Sequence, residues 1–325
     1  GGRPTRASSN RGAPTAGPPT AGGPAEGKES EGLVSESTLA AQIRETRRDP
    51  DANVLWWAGQ HGFVLCLGGT VLGIDLYLKD EPRRLVPPVL RPDETAVFDA
   101  LLGTHDHADH IDPSFWPELA RRDHGPALVA PEHDRARLSE SWAAAPGRLH
   151  GARVGERLRV GAVEIWPIPA AHEQRERDPE TGADRFLGYA LRTERLCVYH
   201  AGDTVPFEGL EPAVRGVSPD VMLLPINGRD GPRYRRGIVG NMTYQEAGDL
   251  ADRVSPALVI PTHYDMHEAN RADPEQFVDY LAARRPDLRV RVPAHGEAVD
   301  LSGCARADRG LEPARGRAGG GGARG

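Results

Sequence analysis

The stretch GTHDHADHID at 103–112 constrains this chain more than any other. It sets His105, His107, Asp109 and His110 side by side, directly after the apolar run AVFDALL. Solvated surface rarely needs so dense a set of imidazoles and carboxylates. Together they suit a divalent ion, with Zn²⁺, Mn²⁺ and Fe²⁺ all compatible. His105 and His107 are two apart and point the same way in an extended segment. Asp109 and His110 follow as the chain turns toward the next helix. One loop cannot complete a site, so other ligands must arrive from elsewhere. His172 in IPAAHE, Asp203 in YHAGDT and His263 in IPTHYD each stand just after a strand-like apolar run. The fold must therefore bring several strand ends to one place, on loops held by rigid elements.

The order of the runs agrees with that demand. VLWWAG, GFVLCLGG and TVLGIDLYL are short apolar runs separated by turns, as in a strand meander. Further on, ALVAP, DVMLLPI and PALVIPTH alternate with helical stretches. LVSESTLAAQIRETRR at 33–48 reads as an amphipathic helix. Asp112 and Pro113 are expected to open a helix. Thr243 and Glu246 form a capping box, and Asp273-Pro274 opens another helix. LRVRVPAHGE reads as a last strand. Strands outnumber helices, which favours two packed sheets with helices outside over a doubly wound parallel sheet.

Residues 1–32 and 304–325 are rich in Gly, Pro, Ala and Arg and read as disordered tails. Residues 33–303 are expected to form one folded domain. The net charge of −7 comes with interspersed signs, so no nucleic-acid footprint is expected. No apolar run approaches the ~18 residues of a membrane span, and no signal-peptide pattern opens the chain. Cys66, Cys197 and Cys304 fit a reducing compartment without a disulfide framework, and Cys66 and Cys197 are expected to be buried. Lys28 and Lys79 are the only lysines, which leaves little room for Schiff-base chemistry.

A two-ion assignment follows from the ligand count. His105, His107 and His172 would hold one ion and Asp109, His110 and His263 the other, with Asp203 bridging them. Two cations would lower the pKa of a shared water and make hydroxide available at neutral pH.

The motif H-x-H-x-D-H, together with LWWAGQHGF, GIDLYL, YHAGDT and VIPTHYDMHEANRADPEQF in this order, resembles the metallo-β-lactamase superfamily. Within it, the chain is similar to the L-ascorbate-6-phosphate lactonase family and its relatives. The resemblance covers about 54–280. It implies an αββα sandwich, classed α/β (α+β), with metals at one edge of two mixed sheets. It also implies a cytoplasmic, homo-oligomeric hydrolase acting on a small-molecule substrate. His172 is a ligand position that some lactonase-like members lack, so the metal set transfers better than the substrate. Asp75, at the superfamily's first acidic position, is expected to hydrogen-bond a ligand histidine, and His200 to lie behind the ligands. His61 is a further candidate for reaching the cleft. His124, His133 and His150 are read as surface residues.

The expected reaction is opening of a lactone or related ester, with Asp109 orienting the hydroxide. His295 and Tyr264 are candidates to protonate the leaving group. Arg229, Arg233, Arg235 and Arg236, in a Gly-rich loop before the Thr243 helix, would bind an anionic substrate end, such as that of a phosphorylated sugar acid. A phosphodiesterase on the same site is the alternative reading. A non-catalytic metal- or ligand-binding protein is a third.

Overall fold

In the computed structural model, residues 37–305 are described. Leu33 and Val34, and the two stretches read as tails apart from 304 and 305, lie outside the described residues. The first sheet contains β1 (Asn53–Gly59), β2 (Gly62–Leu67), β3 (Thr70–Ile74), β4 (Ala100–Leu102), β5 (Ala127–Pro131) and β6 (Leu149–Ala152). The second contains β7 (Leu158–Val160), β8 (Val163–Pro169), β9 (Leu187–Arg192), β10 (Cys197–His200), β11 (Val221–Pro225), β12 (Leu258–Thr262) and β13 (Arg289–Val290). A last strand, β14 (Ala298–Asp300), returns to the first sheet beside β1.

Both sheets are mixed. β1, β2 and β3 pair antiparallel, and β4, β5 and β6 follow in parallel. The second sheet repeats the plan, with β7 to β10 antiparallel and β11 to β13 parallel. The stretch read as one last strand instead ends the second sheet with the two-residue β13 and crosses over to β14.

Strand alternation builds the layers. Leu55, Trp57, Phe63, Leu65, Leu72 and Ile74 face the core shared with the second sheet. Their neighbours Trp56, Val64, Cys66 and Val71 pack the other way, against outer helices. Both faces are buried, which explains why these strands read as continuous apolar runs rather than alternating ones. Helices α1 (Thr38–Thr46), α2 (Trp116–Arg121) and α3 (Glu132–Trp142) cover the first sheet. Helices α4 (Leu210–Val217), α6 (Tyr244–Val254) and α7 (Pro274–Arg284) cover the second, and α5 (Gly231–Arg235) sits in the arginine loop. The layer order is the expected αββα.

Local chemistry matches several boundaries and corrects others. Ser37 caps α1, which buries Leu39, Ala40 and Ile43. Thr243 and Glu246 close their capping box at α6, and Asp273 caps α7. Asp112 does not cap a helix. Its buried carboxylate accepts the backbone N–H groups of Leu78, Lys79 and Ser114, and α2 begins only at Trp116. The carboxylate ties the histidine loop to the segment after β3. Cys304 is buried with Cys197 in the core between the sheets, so packing extends past residue 303, and Cys66 is buried under the outer helices of the first sheet. Among the described residues, no helix is long and apolar enough to cross a membrane.

Candidate metal centre

β3, β4, β8, β10 and β12 all deliver their carboxyl ends to one edge of the sandwich. β3 and β4 run parallel, as do β10, β11 and β12, while β8 and β10 share a direction because both oppose β9. The carboxyl ends of parallel strands are the usual place for ligand sites in such sheets.

Seven side chains meet there. His105, His107 and His172 form one group, and Asp109, His110 and His263 another; His105, His110 and Asp203 overlap both. His105 Nε2 and His107 Nδ1 lie 2.8 Å apart. Asp203 divides its carboxylate between the groups. Oδ2 lies 3.3 Å from His172 Nε2, while Oδ1 lies 3.2 Å from His263 Nε2 and 3.4 Å from His110 Nε2. Asp109 Oδ2 is 3.7 Å from His110 Nε2 and 3.8 Å from His263 Nε2. Asp109 is half-buried and His107 exposed, so both groups face the mouth of the cleft.

A cation fits this arrangement. His110 Nε2 and Asp203 Oδ1 are buried without a hydrogen-bond partner. Leaving such atoms unpaired costs about 1–3 kcal/mol each. The donor set, neutral imidazoles with carboxylates, suits a divalent ion.

Protonation is tuned the same way. Burial and then the His110 imidazole hold His105 below the ordinary histidine value, and His107 likewise. Burial opposes charge on Asp109 and Asp203, but the imidazoles of His110 and His263 outweigh it and hold both carboxyls low. Burial also opposes charge on His110 and His263; there Asp203 wins and raises both. These two keep protons that an ion must displace.

Behind the ligands lies Asp75. Its Oδ1 accepts the Thr104 N–H at 2.8 Å, and its Oδ2 accepts the Thr104 hydroxyl at 2.8 Å and His110 Nδ1–H at 2.7 Å. The carboxylate can only accept, so His110 carries its proton on Nδ1 and turns Nε2 toward Asp203. Since the Thr104 hydroxyl gives its hydrogen to Asp75, it accepts from His105 Nδ1 at 3.1 Å and orients that ring too. His200 lies deeper and donates from Nε2 to the His61 carbonyl at 2.8 Å. His61 is fully buried, with Nδ1 2.6 Å from the Thr262 hydroxyl, and does not reach the cleft surface.

A cavity of about 580 Å³ opens from Gln60 and Asp109, walled by Tyr77, Glu81, Ile238, His267 and Asn270. That is a small-molecule size. The structure does not bring every candidate to it. Tyr264 packs on Trp57 and into the core, and borders a separate hollow with Leu85 and Val86. It lies past the end of β12, where the left-handed backbone of His263 (φ 63°) turns the chain. His295 stacks on Trp57 and pairs with Asp265, outside the cavity lining. Arg229 is held by both oxygens of Glu246 at 2.6 and 2.7 Å. Arg233 is held by Asp230, Asn270 and the Arg271 carbonyl. Arg235 and Arg236 are exposed, and none of the four lines the cavity; Ile238 is what their loop contributes.

Sequence reasoning passed over Gln60 and Thr104. The signal for Gln60 is a polar residue in the glycine-flanked turn AGQHG between two buried strands. Thr104 shows no signal beyond adjacency to His105.

Comparison with known proteins agrees with this fold. Residues 71–264 match the model of the beta-lactamase superfamily domain. A UPF0173 metal-dependent hydrolase of Opitutus terrae is 31% identical over 253 residues, covering 76% of this chain and 99% of that protein. One from Archaeoglobus fulgidus is 28% identical, covering 76% and 98%. Among solved structures, a metallo hydrolase from Ignicoccus hospitalis shares the fold with a TM-score of 0.59 at 24% identity, covering 76% of this chain and 97% of that one.

Proposed function

This chain belongs to the metallo-β-lactamase superfamily, among its UPF0173 metal-dependent hydrolases, and from that membership we propose that it opens a lactone or related ester of a small molecule at a two-ion site. The single observation that carries the two-ion reading is the divided carboxylate of Asp203, with one oxygen toward His172 and the other toward His110 and His263. His105, His107 and His172 would hold one ion, Asp109, His110 and His263 the other, with Asp203 shared. Ions so held supply an acidified water and polarise a carbonyl at neutral pH.

The remaining work falls to the chain's own side chains. Asp109, at the cavity floor, is placed to orient a nucleophilic water. Asp75 and Thr104 hold the imidazoles of His110 and His105 in the tautomers that leave Nε2 free. The cavity beside Asp109, walled by Tyr77, Ile238 and His267, has room for a small substrate. Opening a lactone breaks the ring C–O bond and leaves an alkoxide tethered to the product; Tyr264 and His295 do not line the cavity, so its proton would come from solvent water. The arginines add little support for an anionic substrate end, because two are engaged within the protein and two lie outside the lining.

The test is elemental analysis of protein purified without chelator, paired with hydrolysis of a lactone panel, bis-p-nitrophenyl phosphate and a thioester. Two ions per chain with lactone or ester turnover is the expected result. Turnover of the phosphodiester alone would replace this reading with the phosphodiesterase one. Full activity after complete metal removal would end both.

A further inference from the structure

Six non-glycine residues among those described have a positive φ. Ala143, Ser218 and Ser255 are helix C-caps, where the left-handed conformation is ordinary. The other three, Gln60 (φ 53°), Asp75 (φ 48°) and His263 (φ 63°), all sit at the metal centre. Backbone held in this region persists only where surrounding contacts over-determine it, and such residues cluster at functional sites.

Gln60 is the one of the three with no role so far. Its backbone is fixed at both ends. The N–H donates to Asp265 Oδ1 at 2.9 Å, and Asp265 is itself paired with His295. The carbonyl accepts the His263 N–H at 2.8 Å and the Trp57 indole N–H at 3.2 Å. So anchored, the side chain projects to the cavity floor. Its Nε2 donates to Asp109 Oδ2 at 2.9 Å and lies 3.4 Å from His263 Nε2. Gln60 thus touches two of the three side chains in the Asp109–His110–His263 group, and no hydrogen bond joins it to His105, His107 or His172.

We infer that Gln60 is a positioning residue for the Asp109–His110–His263 site alone: its backbone sets His263, its amide sets Asp109, and together they govern how tightly that one ion is held. The inference rests on the two-ion reading above. An amide suits the task because it donates to the carboxylate without adding charge. Glutamate would set another anion beside Asp109. Methionine would keep the reach and lose the donor.

The experiment is calorimetric titration of the chelator-stripped full chain with Zn²⁺, with metal-free melting temperature as the structural readout. Gln60→Met should leave one of the two ions bound as in the wild type and weaken the other 10–100-fold, the range for removing a hydrogen bond to a metal ligand. Gln60→Gly suits a left-handed backbone and carries no amide. It should show the same selective weakening without a lower metal-free melting temperature than Gln60→Met. In a His172→Ala background, the ion that remains should be the one that Gln60→Met weakens. Wild-type affinities in Gln60→Met and Gln60→Gly, or equal weakening of both ions, would overturn the inference. A wild-type stoichiometry of one ion would remove the two-ion reading. The selectivity inferred for Gln60 would fall with it, whereas two ions weakened equally would overturn the inference and leave the two-ion reading in place.

Discussion

At the scale of single residues, the centre works through partners that fix what each ligand may do. Asp75 receives His110 Nδ1–H and the Thr104 hydroxyl, and Thr104 in turn orients His105. One buried carboxylate therefore sets two imidazoles. Asp75→Asn keeps the volume and loses the acceptor that demands a proton on His110 Nδ1. Metal affinity should fall 10–100-fold, measured by competition with a chromophoric chelator, while the far-ultraviolet dichroism stays that of the parent. Unaltered affinity would mean that the ligands orient themselves. The ligands were legible as residue types because H-x-H-x-D-H needs no neighbours to be noticed. Gln60 and Thr104 were not, since their role exists only in the contacts they make.

Among the elements, the turns after the strands matter more than the strands. Asp203 follows Gly202, whose φ is 62° and where an added Cβ would stand 2.2 Å from the Leu187 carbonyl oxygen. Strand β9 passes too close for any side chain. Gly202→Ala must displace either β9 or the Asp203 turn. It should cost about 1–3 kcal/mol through the backbone conformation, with more from the clash. Chemical denaturation of the metal-free chain measures this, and the substitution should also remove metal from protein otherwise folded. Parental stability would show that the turn can relax. The two buried faces of β1 to β3 explain why periodicity revealed strands there but not their register or partners.

For the whole molecule, the site couples metal, protons and folding. In the metal-free protein, His110 and His263 titrate above the ordinary histidine value because Asp203 outweighs their burial. A raised folded value means these protons add stability below the unfolded pKa and that this contribution is lost as pH rises through the folded one. Metal binding must displace the same protons. It therefore strengthens with rising pH, by up to about 1.4 kcal/mol per pH unit for each proton released. Melting temperatures with and without Zn²⁺ should diverge as pH rises from about 6.5, the ordinary histidine pKa, toward the raised folded values of His110 and His263, and the gap should stop widening above them. A gap that is flat or narrows with pH would place the displaced protons elsewhere.

The ligand types, the strand-rich layering and the superfamily likeness were all determined by the sequence alone, because ligand chemistry and apolar runs are local properties. Only the tertiary structure decided which way each side chain faces. It turned Tyr264 into the core, spent Arg229 and Arg233 on neighbours, gave Asp112 to the backbone of 78–79 and brought Gln60 to Asp109. The reason is physical. Direction at a strand end depends on the turn that follows and on the partners waiting there, and those partners lie up to 205 positions away along the chain.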